Sequence, residues 1–96
     1  MNWEEAIEKR RLVAFRYDGH PRIVIPAAYG LHVTEGTPVL RGYQIRGTSN
    51  NRSVPFWELF KVIRAVDPIM LDEKFVADPP QYMPGDRHMA IIYREL

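Results

Sequence analysis

Four cations, Arg16, Arg41, Lys61 and Arg64, fall on or next to segments that read as β-strands. An arginine in the middle of a strand of a small sheet must reach solvent past the rim or sit on a face that is deliberately polar. By the two-residue period Tyr43 shares a face with Arg41, and Trp57 shares one with Lys61. Alternating rings and bases are what single-stranded nucleic acid requires, because rings stack on bases while guanidinium and ammonium groups pair with phosphates. Arg52, at the end of Gly47-Thr48-Ser49-Asn50-Asn51, adds a cation beside accessible backbone amides that could receive an anion. The expected ligand surface therefore comprises Arg16, Arg41, Tyr43, Arg52, Trp57, Lys61 and Arg64, converging from separate strands. The competing reading makes Tyr43 and Trp57 core residues and the cations ordinary solvated charge.

Other chemistries find little support. His20, His32 and His88 lack the close spacing of metal pairs, and the chain has no cysteine to add thiolate ligands or nucleophiles, so no metal or other cofactor is expected. No Gly-x-Ser-x-Gly elbow activates a hydroxyl, and Asp72 and Glu73, adjacent on a strand, point to opposite faces. The sequence predicts a binding protein and not an enzyme. Net charge is only +1. The average hides a split, with ten Lys/Arg against six Asp/Glu through Val66 and three against six from Asp67 onward. A basic working surface, balanced or covered by an acidic tail, is the implication.

Asn2 followed by Glu5 resembles a helix-capping pair, and Trp3, Ala6 and Ile7 fall on one helix face, so a short helix should run to about Arg10. Lys9, Arg10 and Arg11 then lie where the carbonyl end of a helix favours positive charge. From Leu12 the period changes to two, with Val13, Phe15 and Tyr17 on one side of a strand. Asp18-Gly19 signals a hairpin, which Pro21 could lengthen. Arg22 to Ile25 should return, closed by Pro26, which cannot donate to a ladder. Further strands are expected at Ala28 to Val33, Pro38 to Arg46, Phe56 to Val62 and Ile69 to Leu71. Prolines interrupt the chain after Asp78, and the end fits a helix face (Met89, Ile92, Tyr93, Leu96) and a strand (Ile91, Ile92, Tyr93) equally well.

A helix followed by several short strands and turns predicts a mainly β fold: a small SH3/Sm-like curved sheet or barrel of about five to six strands with an N-terminal helix. At 96 residues one domain is expected, with its core in residues 1–75 and a Pro-rich, acidic extension over 76–96. No apolar run could span a bilayer and the N-terminus is acidic, which predicts a cytoplasmic protein with no membrane partner.

The helix ending in Lys9-Arg10-Arg11-Leu12, the Phe15-Arg16-Tyr17 strand, Arg22 to Pro26, Leu40-Arg41-Gly42-Tyr43 and Leu59-Phe60-Lys61-Val62-Ile63-Arg64 together resemble a WYL domain over roughly residues 4–75. Where that family carries its Trp-Tyr-Leu triplet this chain has Pro38-Val39-Leu40, and the acid of its Phe-Arg-Leu-Asp-Arg-Ile segment is lost. The resemblance implies a bacterial regulatory module of transcription or defence proteins that senses nucleic acid or a nucleotide. No helix-turn-helix segment precedes it, which implies action in trans, as a homodimer, or beside a separate regulatory protein. The alternative is a protein-interaction or homo-oligomerisation module that docks through sheet edges and the apolar segment Met89 to Leu96.

Overall fold

In the computed structural model, which describes residues 1–96, Asn2 caps helix α1 (Trp3–Glu8), its Oδ1 accepting from the Glu5 backbone N–H at 2.9 Å. Trp3, Ala6 and Ile7 are buried, as their spacing predicts. The helix stops short of Arg10, because Arg10 takes a positive φ of 53°. Lys9 is the C-cap residue, its N–H donating to Glu5 O at 2.8 Å, but the side chains of the three bases turn away from the helix-end carbonyls. Lys9 Nζ returns to Glu5 at 2.8 Å, Arg10 reaches Val76 O and Asp78 at 2.9 and 2.5 Å, and Arg11 reaches Leu71 O and Asp72 at 2.5 and 2.9 Å. Arg10 and Arg11 hold segments that lie far ahead in sequence.

Strands β1 (Arg11–Tyr17) and β2 (His20–His32) form a hairpin with Tyr17 opposite His20. Asp18 and Gly19 both have positive φ, 53° and 78°, the geometry that matches a two-residue loop to strand twist. Pro21 does not lengthen the loop. Pro26 does not end the strand either, so the two strands expected on either side of it are one. The proline falls in a gap between the residues that pair with β1, ending at Val24, and those that pair with β6 (Met89–Glu95), starting at Ala28. Its own neighbour there is Gly42, next to a register shift, so its missing N–H is tolerated.

β3 (Pro38–Gly47), β4 (Phe56–Lys61), a 3-10 turn (Val62–Arg64) and β5 (Val66–Lys74) complete an antiparallel sheet of order β4-β3-β2-β1-β5, with β6 alongside the far half of β2. The expected mainly β architecture, a small curved sheet with an N-terminal helix, is the one observed. β5 begins earlier than expected and runs through Pro68, again at a register shift, with Asp67 at positive φ. The undecided C-terminal segment is a strand.

One side of the sheet holds the main core, where Val13, Phe15, Tyr17, Val24, Leu40 and Phe60 meet the buried face of α1. Phe60 stands edge-on to Phe15 and Tyr17 at 5.0 and 5.1 Å between centroids, and each such buried ring contributes about 2 to 3 kcal/mol. Gly42 makes this packing possible, since a Cβ there would lie 2.3 Å from Val24 Cγ1. The other side carries Leu12 and Ile25 under Phe75, and Ala28 and Val39 under Met89. Residues 75–88 therefore form an arm across this second face. The arm is tied down by Phe75 N–H to Arg10 O at 3.0 Å, Trp57 Nε1–H to Pro80 O at 3.0 Å and Tyr82 O–H to Leu96 O at 3.0 Å. No helix is long and apolar enough to cross a membrane.

Candidate anion-binding cleft

The period that buries Val24 also turns Arg22 inward, opposite Phe15. Its guanidinium sits between the rings of Tyr17 and Phe60, 5.4 and 5.8 Å from their centroids, and the residue is only 4% exposed. Its Nη1 donates to Gln44 Oε1 at 3.1 Å and its Nη2 to Tyr17 O at 3.0 Å, while Nε has no partner. A guanidinium offers five donors, and both of these acceptors are neutral. Burial pulls its pKa down, opposed by the charges of Glu58 and Asp18, yet an arginine stays protonated in any protein environment near neutral pH. A positive charge is thus held in the rim of the core without a carboxylate bonded to it.

Arg22 lines a cleft of about 360 Å³, shared with Tyr17 and Asp18 of the hairpin, the Ser49-Asn50-Asn51 loop, Glu58 and Lys61 of β4 and Arg64 of the 3-10 turn. Several bonds fix the loop. Gln44 Nε2 donates to Thr48 O at 3.1 Å, and the Thr48 N–H donates to Pro21 O at 3.1 Å. His20 bridges Thr48 Oγ1 and Asn50 Oδ1 at 2.9 and 2.7 Å, through Nδ1 and Nε2 respectively. Ser49 Oγ donates to Arg52 O and accepts from the Arg52 N–H, at 2.7 and 2.9 Å.

Arg64 crosses the cleft entrance, paired with Asp18 and stacked over Tyr17 at 4.7 Å. The Asp18 hydrogen bond raises its pKa, so it remains cationic. Lys61 lies 3.4 Å from Glu35, with both side chains well exposed, a pairing that water and salt weaken. Arg52 stands just outside, bonded to Glu58 and to Trp57 O, over the Phe56 ring at 4.4 Å.

The remaining expected site residues lie elsewhere, so the single converging surface divides in two. Tyr43 and Trp57 are direct cross-strand partners with centroids 5.1 Å apart, beside the arm on the second face. Arg41 is there too, its Nε donating to Asp86 at 2.7 Å and its Nη2 3.1 Å from His88 Nδ1. Arg41, Trp57 and the arm border a second cavity of about 450 Å³. Tyr43 and Trp57 face each other and the arm, and neither lines the cleft that holds Arg22. Arg16 joins neither group, donating from the hairpin to Gly19 O at 2.8 Å. Of the seven, Lys61 and Arg64 line the cleft, Arg52 adjoins it through Glu58, and four lie apart.

Sequence reasoning missed Arg22, Asp18 and Glu58. Arg22 carried a readable signal, since it shares Val24's face two residues away. Asp18 and Glu58 carried none, because hairpin acids and strand glutamates are ordinary. Comparison with family models, with curated proteins and with solved structures gives no match for this chain.

Proposed function

We propose that the protein is a non-catalytic regulatory module that binds nucleic acid or a nucleotide-type anion in the cleft between the β1–β2 hairpin, the 48–52 loop and β4. One observation carries the reading: Arg22 is buried, cationic and bonded only to neutral acceptors, at the back of a cavity whose entrance is lined by Lys61 and Arg64. An anion entering there meets a charge already stripped of water, so the attraction is stronger than at the surface. The likeness to WYL domains, regulatory modules that sense such ligands, supports the same reading. Its site differs from the one expected from sequence, because the aromatic pair and Arg41 are engaged by the arm.

The competing reading, docking on a partner or a second copy through Met89 to Leu96, draws less support. That segment is itself part of the sheet, with Met89 buried. Its better basis is the exposed apolar group Ile63, Val66 and Ile69 around the start of β5.

Calorimetric titration of the full chain with single-stranded oligonucleotide and with adenosine monophosphate, at low and at physiological salt, tests the proposal. Lys61→Ala and Arg64→Ala should each weaken binding by about three- to tenfold and together abolish it, whereas Arg41→Ala should leave it within about twofold. Absence of binding at low salt, or a double variant that binds like wild type, removes the reading.

A further inference from the structure

The cleft is not uniformly basic. Asp18 and Glu58 line it together with Arg22, Lys61 and Arg64, leaving an excess of one positive charge among these five groups. Carboxylates are a liability in a groove that tracks a phosphodiester backbone, since each phosphate beyond the first would approach an anion. They are useful where a ligand presents donors, because an ionised carboxylate only accepts, and it takes hydrogen bonds from ribose hydroxyls or from base amino and imino groups. Outside the cleft most cations are paired, and Arg16, which donates to Gly19 O, lies apart from it. Arg10, Arg11, Arg41 and Arg46 each contact an acid at 2.5 to 2.9 Å.

Stacking platforms are missing as well. Tyr17 is 6% exposed and already covered by Arg22 and Arg64, and the Tyr43–Trp57 pair does not line the cleft. Single-strand binders rely on rings that successive bases can cover. A cavity of about 360 Å³ lies near the lower end of the range for small-molecule sites. It has room for one phosphate and one donor-bearing body.

We propose, resting on the functional reading above, that the ligand is a single small phosphomonoester of the ribonucleoside monophosphate type. Its phosphate meets Lys61 and Arg64 with Arg22 behind them, and its hydroxyl or amino donors are accepted by Glu58 and Asp18. The cleft then takes a free nucleotide or a chain end and rejects the interior of a strand.

The test is a titration panel on the full chain: inorganic phosphate, ribose 5-phosphate, adenosine and guanosine monophosphates, and oligoadenylates of increasing length. At least one ribonucleotide should bind about tenfold or more tighter than inorganic phosphate, and lengthening the oligomer should not raise affinity. Ribose 5-phosphate matching the nucleotide assigns the carboxylates to the sugar, and falling to the level of phosphate assigns them to the base; each outcome supports the proposal. The double variant Asp18→Asn with Glu58→Gln should cut the nucleotide's advantage to about twofold while inorganic phosphate binds as well as or better than to wild type, which also shows the variant is folded. Affinity that climbs with oligomer length, or a nucleotide advantage untouched by the double variant, overturns the single-nucleotide inference while leaving anion binding in place. No binding by any of the probes overturns both.

Discussion

A guanidinium taken out of water loses hydration worth several kcal/mol, and a fold selected for stability alone gains by filling such a position with an apolar side chain. Arg22 is held there by only two hydrogen bonds and two aromatic faces. Replacing it separates structure from function. Arg22→Met fills a similar volume but leaves the fully buried Gln44 Oε1 without its donor and takes one donor from the Tyr17 carbonyl, so urea denaturation should give a loss of about 1 to 3 kcal/mol. Adding Gln44→Leu removes the orphaned oxygen and should restore most of the loss in the double variant, a non-additivity expected of groups in one network. Both variants should lose anion affinity by tenfold or more. Recovery of stability without recovery of binding marks Arg22 as a ligand group, whereas a double variant destabilised further makes it structural.

At this scale the sequence was partly legible. Alternation placed Lys61 near the end of a strand, whereas Arg64 lies on the 3-10 turn beyond it and the face that Arg22 shares with Val24 went unread; period two does not say which end of a curved sheet a residue faces. Arg41 and Tyr43 share a face as that rule requires, but it is the second face, where Trp57 and the arm lie.

Among the elements, the arm of residues 75–88 shows how one charged contact can hold a segment without regular structure. Asp86 is almost buried, at 9% side-chain exposure, which by itself raises its pKa. The hydrogen bond from Arg41, the His88 backbone N–H and the charge of Arg41 outweigh that burial, leaving the Asp86 carboxyl below its ordinary value. A carboxyl whose folded pKa lies below its unfolded value of about 3.9 stabilises the fold above that value, and the contribution disappears as pH falls through the folded pKa. Asp86→Asn should therefore cost about 1 to 2 kcal/mol at neutral pH by chemical denaturation, and the difference from wild type should shrink to nothing in strong acid. A gap that persists at low pH would show that the carboxylate charge is not what holds the arm.

The elements were the most legible level, because helix caps, two-residue hairpins and alternation are local. The failures share a cause in tertiary context. Pro26 is accommodated because two different strands share one side of β2 and leave a gap at that residue. The C-terminal segment is a strand because the far half of β2 offers an unpaired edge, which nothing in Met89 to Leu96 could announce.

Over the whole molecule, the charge split between the body and the C-terminal third is largely cancelled across the arm and β5, through contacts such as Arg10 with Asp78, Arg41 with Asp86 and Arg46 with Glu73. The acidic tail does lie over part of the basic body. It covers the surface that Arg41, Tyr43 and Trp57 were expected to provide, and it leaves the Arg22 cleft at the opposite side of the sheet open. A protein organised this way should show a shallow salt dependence of binding, with a logarithmic slope near about −1, unlike the steep slopes of polyanion binders. The most direct measurement follows the arginine Nε–H and backbone amide resonances by NMR as a ribonucleoside monophosphate is added. The predicted result is displacement of Arg22, Arg64 and the amides of Ser49, Asn50 and Asn51, with Arg41 and the Trp57 indole N–H unmoved. Displacement confined to Arg41, Trp57 and residues 81–88, or none anywhere, would contradict the assignment of the cleft.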